Sequence, residues 1–235
     1  MRILITGSSR GIGAAIARNF AKQEIADLFL VSRNMYALEK LKKDILKDHS
    51  SIKVHLFPTD LSDESNIREM VSEIKQITDR LDAIINNAGY LAKGNFHEIG
   101  LNEINRSLMI NYIAPSLIIK ECIGLLKNAH KPHIVNIASM GGFQGSVKYP
   151  GLSHYSASKA AIASLTECLA TEFKGEIAVN CLAIGSVQTE MLQEAFPGYD
   201  APLKADEMAE FICHFVINAH KYLNGKIIPV SLMNP

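Results

Sequence analysis

Seven short apolar runs, separated by longer segments of helical period, leave this chain few folds to adopt. The runs cover residues 3–6, 28–32, 53–57, 83–86, 133–138, 178–183 and 227–230. They lack the strict alternation of a half-exposed strand, as expected of parallel strands covered on both faces. Helical periods fill 11–22, 36–48, 63–78, 101–127, 153–173 and 205–219. Asn34, Ser62 and the acids around Asp206 stand where helices need caps or first-turn carboxylates. Right-handed crossovers then give an α/β fold, a doubly wound parallel sheet of seven strands with helices on both faces. No repeat or linker-like tract interrupts the 235 residues, so 1–235 is expected to form a single domain.

A doubly wound sheet binds its ligands beyond the carboxyl ends of its strands. The irregular segments 90–100, 140–154 and 186–204 follow the fourth, fifth and sixth strands and are expected to wall that end. Segment 186–204 reads as a short substrate lid. Lys plus Arg equals Asp plus Glu, 24 each, and the charges are scattered, which argues against nucleic acid or an acidic membrane as partner. Cys122, Cys168, Cys181 and Cys213 are widely spaced, with no metal-ligand cluster, and read as reduced thiols. No apolar run approaches the ~20 residues of a membrane span, and a strand beginning near residue 2 leaves no room for a signal peptide. The expectation is a cytoplasmic protein.

Three motifs carry chemistry. Thr6-Gly7-Ser8-Ser9-Arg10-Gly11-Ile12-Gly13 joins the first strand to the first helix. Gly7 allows the tight turn, Gly11 lets a pyrophosphate approach, and Gly13 lets the helix pack near the sheet. The strand before and the helix after favour a ligand-binding loop over a bare glycine turn. Asn86-Asn87-Ala88-Gly89 ends the fourth strand beside it, as a tie between strand ends or as an ordinary turn. Tyr155 and Lys159 lie four apart in Tyr155-Ser156-Ala157-Ser158-Lys159, which puts both on one helix face about 6 Å apart. An ammonium at that distance is worth roughly 3 kcal/mol, enough to lower the phenol pKa by about 2 units. Ser139 ends the fifth strand; alone, such a Ser and a Tyr-x-x-x-Lys pair also arise by chance.

Together, TGSSRGIG, NNAG, Asn111, Ser139 and YSASK resemble the short-chain dehydrogenase/reductase family, in order and approximate spacing, from Met1 to about Thr189. The resemblance implies a Rossmann-type domain and an NAD(P)-dependent oxidoreductase. It implies Tyr155 as general acid/base, Lys159 lowering its pKa and holding the nicotinamide ribose, Ser139 binding the substrate oxygen and Asn111 anchoring a water. It extends the cofactor site over Gly7, Ser9, Arg10, Gly11, Ile12, Gly13, Asp60, Leu61, Asn87, Ala88, Gly89, Tyr155, Lys159, Gly185, Val187 and Thr189. The second strand ends on Ser32-Arg33-Asn34, where an NAD site carries an acid. With Arg10 facing the same corner, two guanidiniums suit a 2′-phosphate, hence NADP(H).

Departures from the family are visible. Ser139 and Tyr155 are 16 residues apart, so 145–153 is expected to bulge over the pocket. Ile184-Gly185 replaces Pro-Gly, and 224–235 lacks an Asp-Gly-Gly close. Met140, Phe143, Tyr149, Met191 and Phe196 are candidate walls for a neutral, partly apolar substrate, with Lys93, His97, Lys148 and His154 nearby as possible anion binders. The alternatives are a 3-oxoacyl carrier-protein reductase and a catalytically idle NADPH sensor; a sugar-nucleotide epimerase would need a larger C-terminal region. A homodimer is expected through 101–127 and 153–173, the latter rich in small residues, with a tetramer as a further possibility.

Overall fold

The computed structural model describes residues 1–23 and 27–232. Each apolar run is a strand: β1 (Arg2–Thr6), β2 (Asp27–Ser32), β3 (Val54–Pro58), β4 (Ala83–Asn86), β5 (His133–Ser139), β6 (Ala178–Ile184) and, after two short strands β7 (Val187–Gln188) and β8 (Leu203–Lys204), β9 (Ile227–Val230). Seven of them form one parallel sheet in the order β3-β2-β1-β4-β5-β6-β9; β7 and β8 pair separately. The helices are α1 (Gly11–Lys22), α2 (Met35–Asp48), α3 (Glu64–Ile77), α4 (Leu101–Leu108), α5 (Ala114–Lys127), α6 (Ser153–Glu172), α7 (Glu190–Ala195) and α8 (Ala205–Asn218).

Alternate residues of each strand feed opposite cores. Ile3, Ile5, Leu28 and Leu30 pack beneath α1, α2 and α8 with Ile16, Phe20 and Ile212. Leu4, Phe29 and Val31 pack on the other face with Ile67, Ile74, Ile118 and Leu126 of α3 and α5. Full burial of such a side chain is worth roughly 1.5–3 kcal/mol, so polar substitutions on either face of β1 are excluded. Chain order reverses between β1 and β4, and the crevice above that switch point is where this topology holds a ligand.

Four expectations change. The predicted helix 101–127 is broken by a π-helical turn, Met109–Ile113, between α4 and α5. Taken whole, Leu101–Lys127 is long and apolar enough to cross a membrane by length and composition. It is instead a core helix here, with Ile118, Ile119, Cys122, Leu125 and Leu126 buried under the sheet. Asp63, not Ser62, caps α3, accepting from Ser65 N, because Ser62 is already tied to Asp60 in the preceding turn. The presumed lid 186–204 carries regular structure, β7, α7 and β8, too short to show a period in sequence. Of the unusual closing segment 224–235, residues 233–235 lie outside the described residues.

At the far end of the sheet, His133 is buried between β5, β6 and α8. Its Nδ1 donates to Val216 O at 3.0 Å, and its Nε2 accepts from Asn180 Nδ2 at 3.0 Å. Burial pushes this imidazole down to about 4.

Candidate active site

The glycine-rich loop is shaped by backbone contact. Gly7 has φ +67°, and a Cβ there would lie 2.8 Å from Ala88 Cα; one on Gly13 would lie 2.2 Å from Gly7 O. Only glycine lets α1 close onto β1 and β4 this tightly. Asn87 completes the tie, donating from Nδ2 to Thr6 O at 3.0 Å and to Gly7 O at 3.3 Å. Arg10 occupies the N-cap position of α1 without a capping side chain, and no acid lies in the first turn. The opening N–H groups of that helix are therefore disposed toward an exogenous anion.

A cleft opens above this loop. Its walls include Gly7, Ser9, Arg10, Gly11, Ile12, Ser32, Arg33, Asp60, Leu61, Asn87, Ala88, Gly89, Tyr155, Lys159 and Thr189. An adjoining, more open hollow is bounded by Ser9, Arg10, Ser32, Arg33 and Asn34. Asn34 caps α2 by accepting from Ala37 N, and Ser32 donates to Ser9 Oγ at 2.7 Å. Gly13 is buried behind the loop, Gly185 donates its N–H to Val230 O, and Val187 packs into the core. These three sit around the cleft without lining it. The cleft also has walls that no motif announced: Thr59, Tyr90, Arg106, Ile110 and Glu190. Arg106 lies over the Tyr90 ring, 4.4 Å from its centroid, and Tyr90 Oη donates to Glu103. For Asp60, burial is outweighed by hydrogen bonds from Ser62 and by the charges of Arg33 and Arg106, so its carboxyl is held below the usual range.

Of the four predicted catalytic residues, Tyr155 and Lys159 line one end of this cleft, while Ser139 and Asn111 lie beside them without lining it. Ser139 ends β5 and accepts from Gly141 N, in a short 3-10 turn, Met140–Gly142, laid directly against α6. A Cβ on Gly142 would lie 2.6 Å from both Ala160 N and Lys159 C, so two glycines in a row fix Ser139 beside Tyr155. Ser139 lies by the Tyr155 hydroxyl, where hydrogen bonding to it lowers the phenol's pKa. Lys159 is 4% exposed and donates from Nζ to Ile137 O at 2.7 Å. A Cβ on Gly89 would lie 3.6 Å from that Nζ and 3.5 Å from Asn111 Oδ1, which places the NNAG end between them. Asn111 stands in the π turn. Its Oδ1 accepts from Tyr90 N, and its Nδ2 donates to Tyr90 O and to Ser158 Oγ, at 2.8, 2.8 and 2.9 Å. Its side chain is thus committed to the loop after β4.

The electrostatics depart from the simple helix-spacing argument. Burial raises the Tyr155 phenol above its ordinary value, with the Ser139 hydrogen bond pulling the other way. The same low-dielectric wall lowers Lys159 to about 8. Desolvation is the largest influence on both groups. Arg10 differs too. It forms an ion pair with Glu194 of α7, Nη1 to Oε1 2.6 Å, which raises its pKa; the corner is not free of carboxylates. Around the mouth, Lys93 donates to Ala195 O and lies over Phe196, and Lys148 donates to Phe143 O. His154 stacks on Phe96. Met140 is buried and Tyr149 is 59% exposed, so Met191 is the one predicted wall residue that lines the cleft. Loop 145–153 leans on the 93–94 turn through Gly94 N to Gly151 O at 3.0 Å. Among the described residues no His, Cys, Asp or Glu cluster is arranged for a metal.

Residues 1–200 match the short chain dehydrogenase family. The chain belongs to that family. It is 30% identical over 203 residues to a dehydrogenase/reductase SDR family protein 7-like of Anopheles gambiae, covering 85% of this chain but 63% of that protein. It is 26% identical over 242 residues to the 3-oxoacyl-[acyl-carrier-protein] reductase FabG of Aquifex aeolicus, covering 97% and 94% of the two chains. A short chain dehydrogenase from Burkholderia cenocepacia, solved in complex with NADP, superposes with a TM-score of 0.85 at 26% identity over 98% of this chain and 96% of that one. A sheet with this order and helices on both faces is the Rossmann-like fold of the short-chain dehydrogenases.

Proposed function

We propose that this oxidoreductase transfers a hydride between NADP(H) and a carbonyl or alcohol substrate, with Tyr155 as general acid/base. The observation that carries the reading is that Tyr155, with Ser139 beside it, and Lys159 line one end of a glycine-walled cleft that also holds Arg10 and Arg33. A glycine loop packed closely against its own backbone at Gly7 and Gly13, an uncapped helix N-terminus and a β2 end without an acid fit a dinucleotide bearing a 2′-phosphate. Gly7, Ser9, Gly11 and Ile12 would hold the pyrophosphate, Arg10, Ser32, Arg33 and Asn34 the 2′-phosphate, Asp60 and Leu61 the adenine, and Asn87, Ala88, Gly89 and Thr189 the remainder. When bound, the nicotinamide supplies the hydride.

The chain's own residues manage the proton. In reduction, the Tyr155 O–H donates its proton to the carbonyl oxygen, and the Ser139 hydroxyl steadies that oxygen by a hydrogen bond. A phenol raised by burial is fully protonated at neutral pH, the form an acid needs. The phenolate left behind is stabilised by the Lys159 ammonium on the same helix face. Asn111 acts as a positioning residue, holding Tyr90 and so the Gly89 loop against Lys159.

The substrate is neutral and partly apolar, since Lys93 and Lys148 are engaged by main-chain carbonyls and His154 by Phe96. The near-full-length likeness to FabG favours a second reading, a ketone carried on an acyl thioester; turnover of carrier-bound but not free ketones would select it. Two copies pair through α4, α5 and α6, where Ala157 and Ala160 are exposed; Ala163 and Ala170 face the core and take no part. The four free cysteines, three of them buried, suit a cytoplasmic enzyme. Calorimetry tests the cofactor: NADPH should bind at least roughly tenfold more tightly than NADH, a gap of about 1.4 kcal/mol, and Arg33→Asp should erase it. Equal affinities in the wild type would refute the assignment.

A further inference from the structure

The lid helix turns an acidic face toward the phosphate corner. Glu190 and Glu194 are one helical turn apart on α7, and both act on Arg10. Glu194 grips the guanidinium twice, Nη1 to Oε1 at 2.6 Å and Nη2 to Oε2 at 3.4 Å. Glu190 reaches over the glycine loop, its Oε2 3.5 Å from where a Cβ on Gly11 would stand. Arg10 at the same time borders the hollow with Ser9, Ser32, Arg33 and Asn34. One guanidinium therefore faces two anionic claims, a lid carboxylate and a phosphate, and a fork engaged by one cannot serve the other fully.

We propose that Glu194 is a specificity-determining residue: it competes with the cofactor's 2′-phosphate for Arg10 and so restrains the preference for NADPH over NADH. This rests on the NADP(H) reading above. Its consequence is that the phosphate, on taking Arg10, releases one anchor of the lid. The second anchor, Lys93 with Ala195 O and the Phe196 ring, is untouched. Cofactor identity is in this way coupled to the segment that covers the substrate.

The test compares affinities of NADPH, NADH and adenosine 2′,5′-bisphosphate for the wild type, Glu194→Gln, Arg10→Ala and the double variant, by calorimetry. Glu194 is exposed, so its replacement leaves the fold intact. An exposed pair of this kind is worth up to about 1 kcal/mol, so Glu194→Gln should bind NADPH and the bisphosphate roughly two- to fivefold more tightly and NADH unchanged. With Arg10→Ala in place, the same substitution should have no effect. A preference for NADPH in the wild type with no gain in Glu194→Gln would overturn this inference and leave the cofactor reading standing. So would a gain that persists without Arg10, since a general charge effect would then explain it. A wild type indifferent to the 2′-phosphate would overturn both.

Discussion

Lys159 holds a charge in a place that resists it, and replacing it with Met should reveal the cost. The ammonium is 4% exposed and its pKa falls from 10.5 to about 8. A difference of about 2.5 units at 1.36 kcal/mol each makes the buried charge cost roughly 3 kcal/mol at pH 7. Because the pKa is lower in the fold, the unfolded chain binds more protons between pH 8 and pH 10.5, and stability rises with pH across that window. By pH 10 the cost has fallen to about 1 kcal/mol. The Ile137 carbonyl loses its donor at every pH, so that loss shifts the comparison uniformly. Urea melts of the wild type and Lys159→Met at pH 7 and pH 10 should therefore show the stability difference between them moving against the variant by about 2 kcal/mol as pH rises. A difference that stays constant within about 0.5 kcal/mol would refute the reasoning, because it would mean that Lys159 carries no desolvated charge.

His133 works in the opposite pH range. Its folded pKa of about 4 lies below the unfolded 6.5, so its contribution is complete above pH 6.5 and lost toward pH 4. That amounts to roughly 3 kcal/mol, and the acid limb of the stability profile should flatten in His133→Gln; an unchanged limb would contradict the burial argument. Gly142→Ala would push a methyl to 2.6 Å from the α6 backbone, costing about 1–3 kcal/mol and most of the turnover by displacing Ser139 from Tyr155. Full activity in that variant would mean that the contact is not what sets the site.

Much of this was legible in the chain. Buried parallel strands write themselves as short apolar runs, so all seven sheet strands could be read, with ends within two residues. The glycine loop and the NNAG turn could be read because backbone contact tolerates few residue types, and the structure shows the contacts. What escaped depends on space rather than pattern. The π turn at Asn111 joins two helices with no break in their apolar period. Helix α7 has six residues, too few for a period, and so the carboxylate on Arg10 was invisible. Arg106 and Tyr90 enter the cleft only through the placement of α4 beside the loop after β4. The phenol shift reversed because spacing on a helix gives a distance but not the burial at either end.

Turnover by Tyr155→Phe is the most direct measurement. With NADPH and a panel of neutral aryl and alkyl ketones, followed at the nicotinamide absorbance, the wild type should oxidise the cofactor. Tyr155→Phe should bind NADPH within about twofold of the wild type yet lose at least about 99% of turnover, since only the proton donor is gone. A variant that keeps more than about a tenth of the rate on any of these ketones would contradict the account.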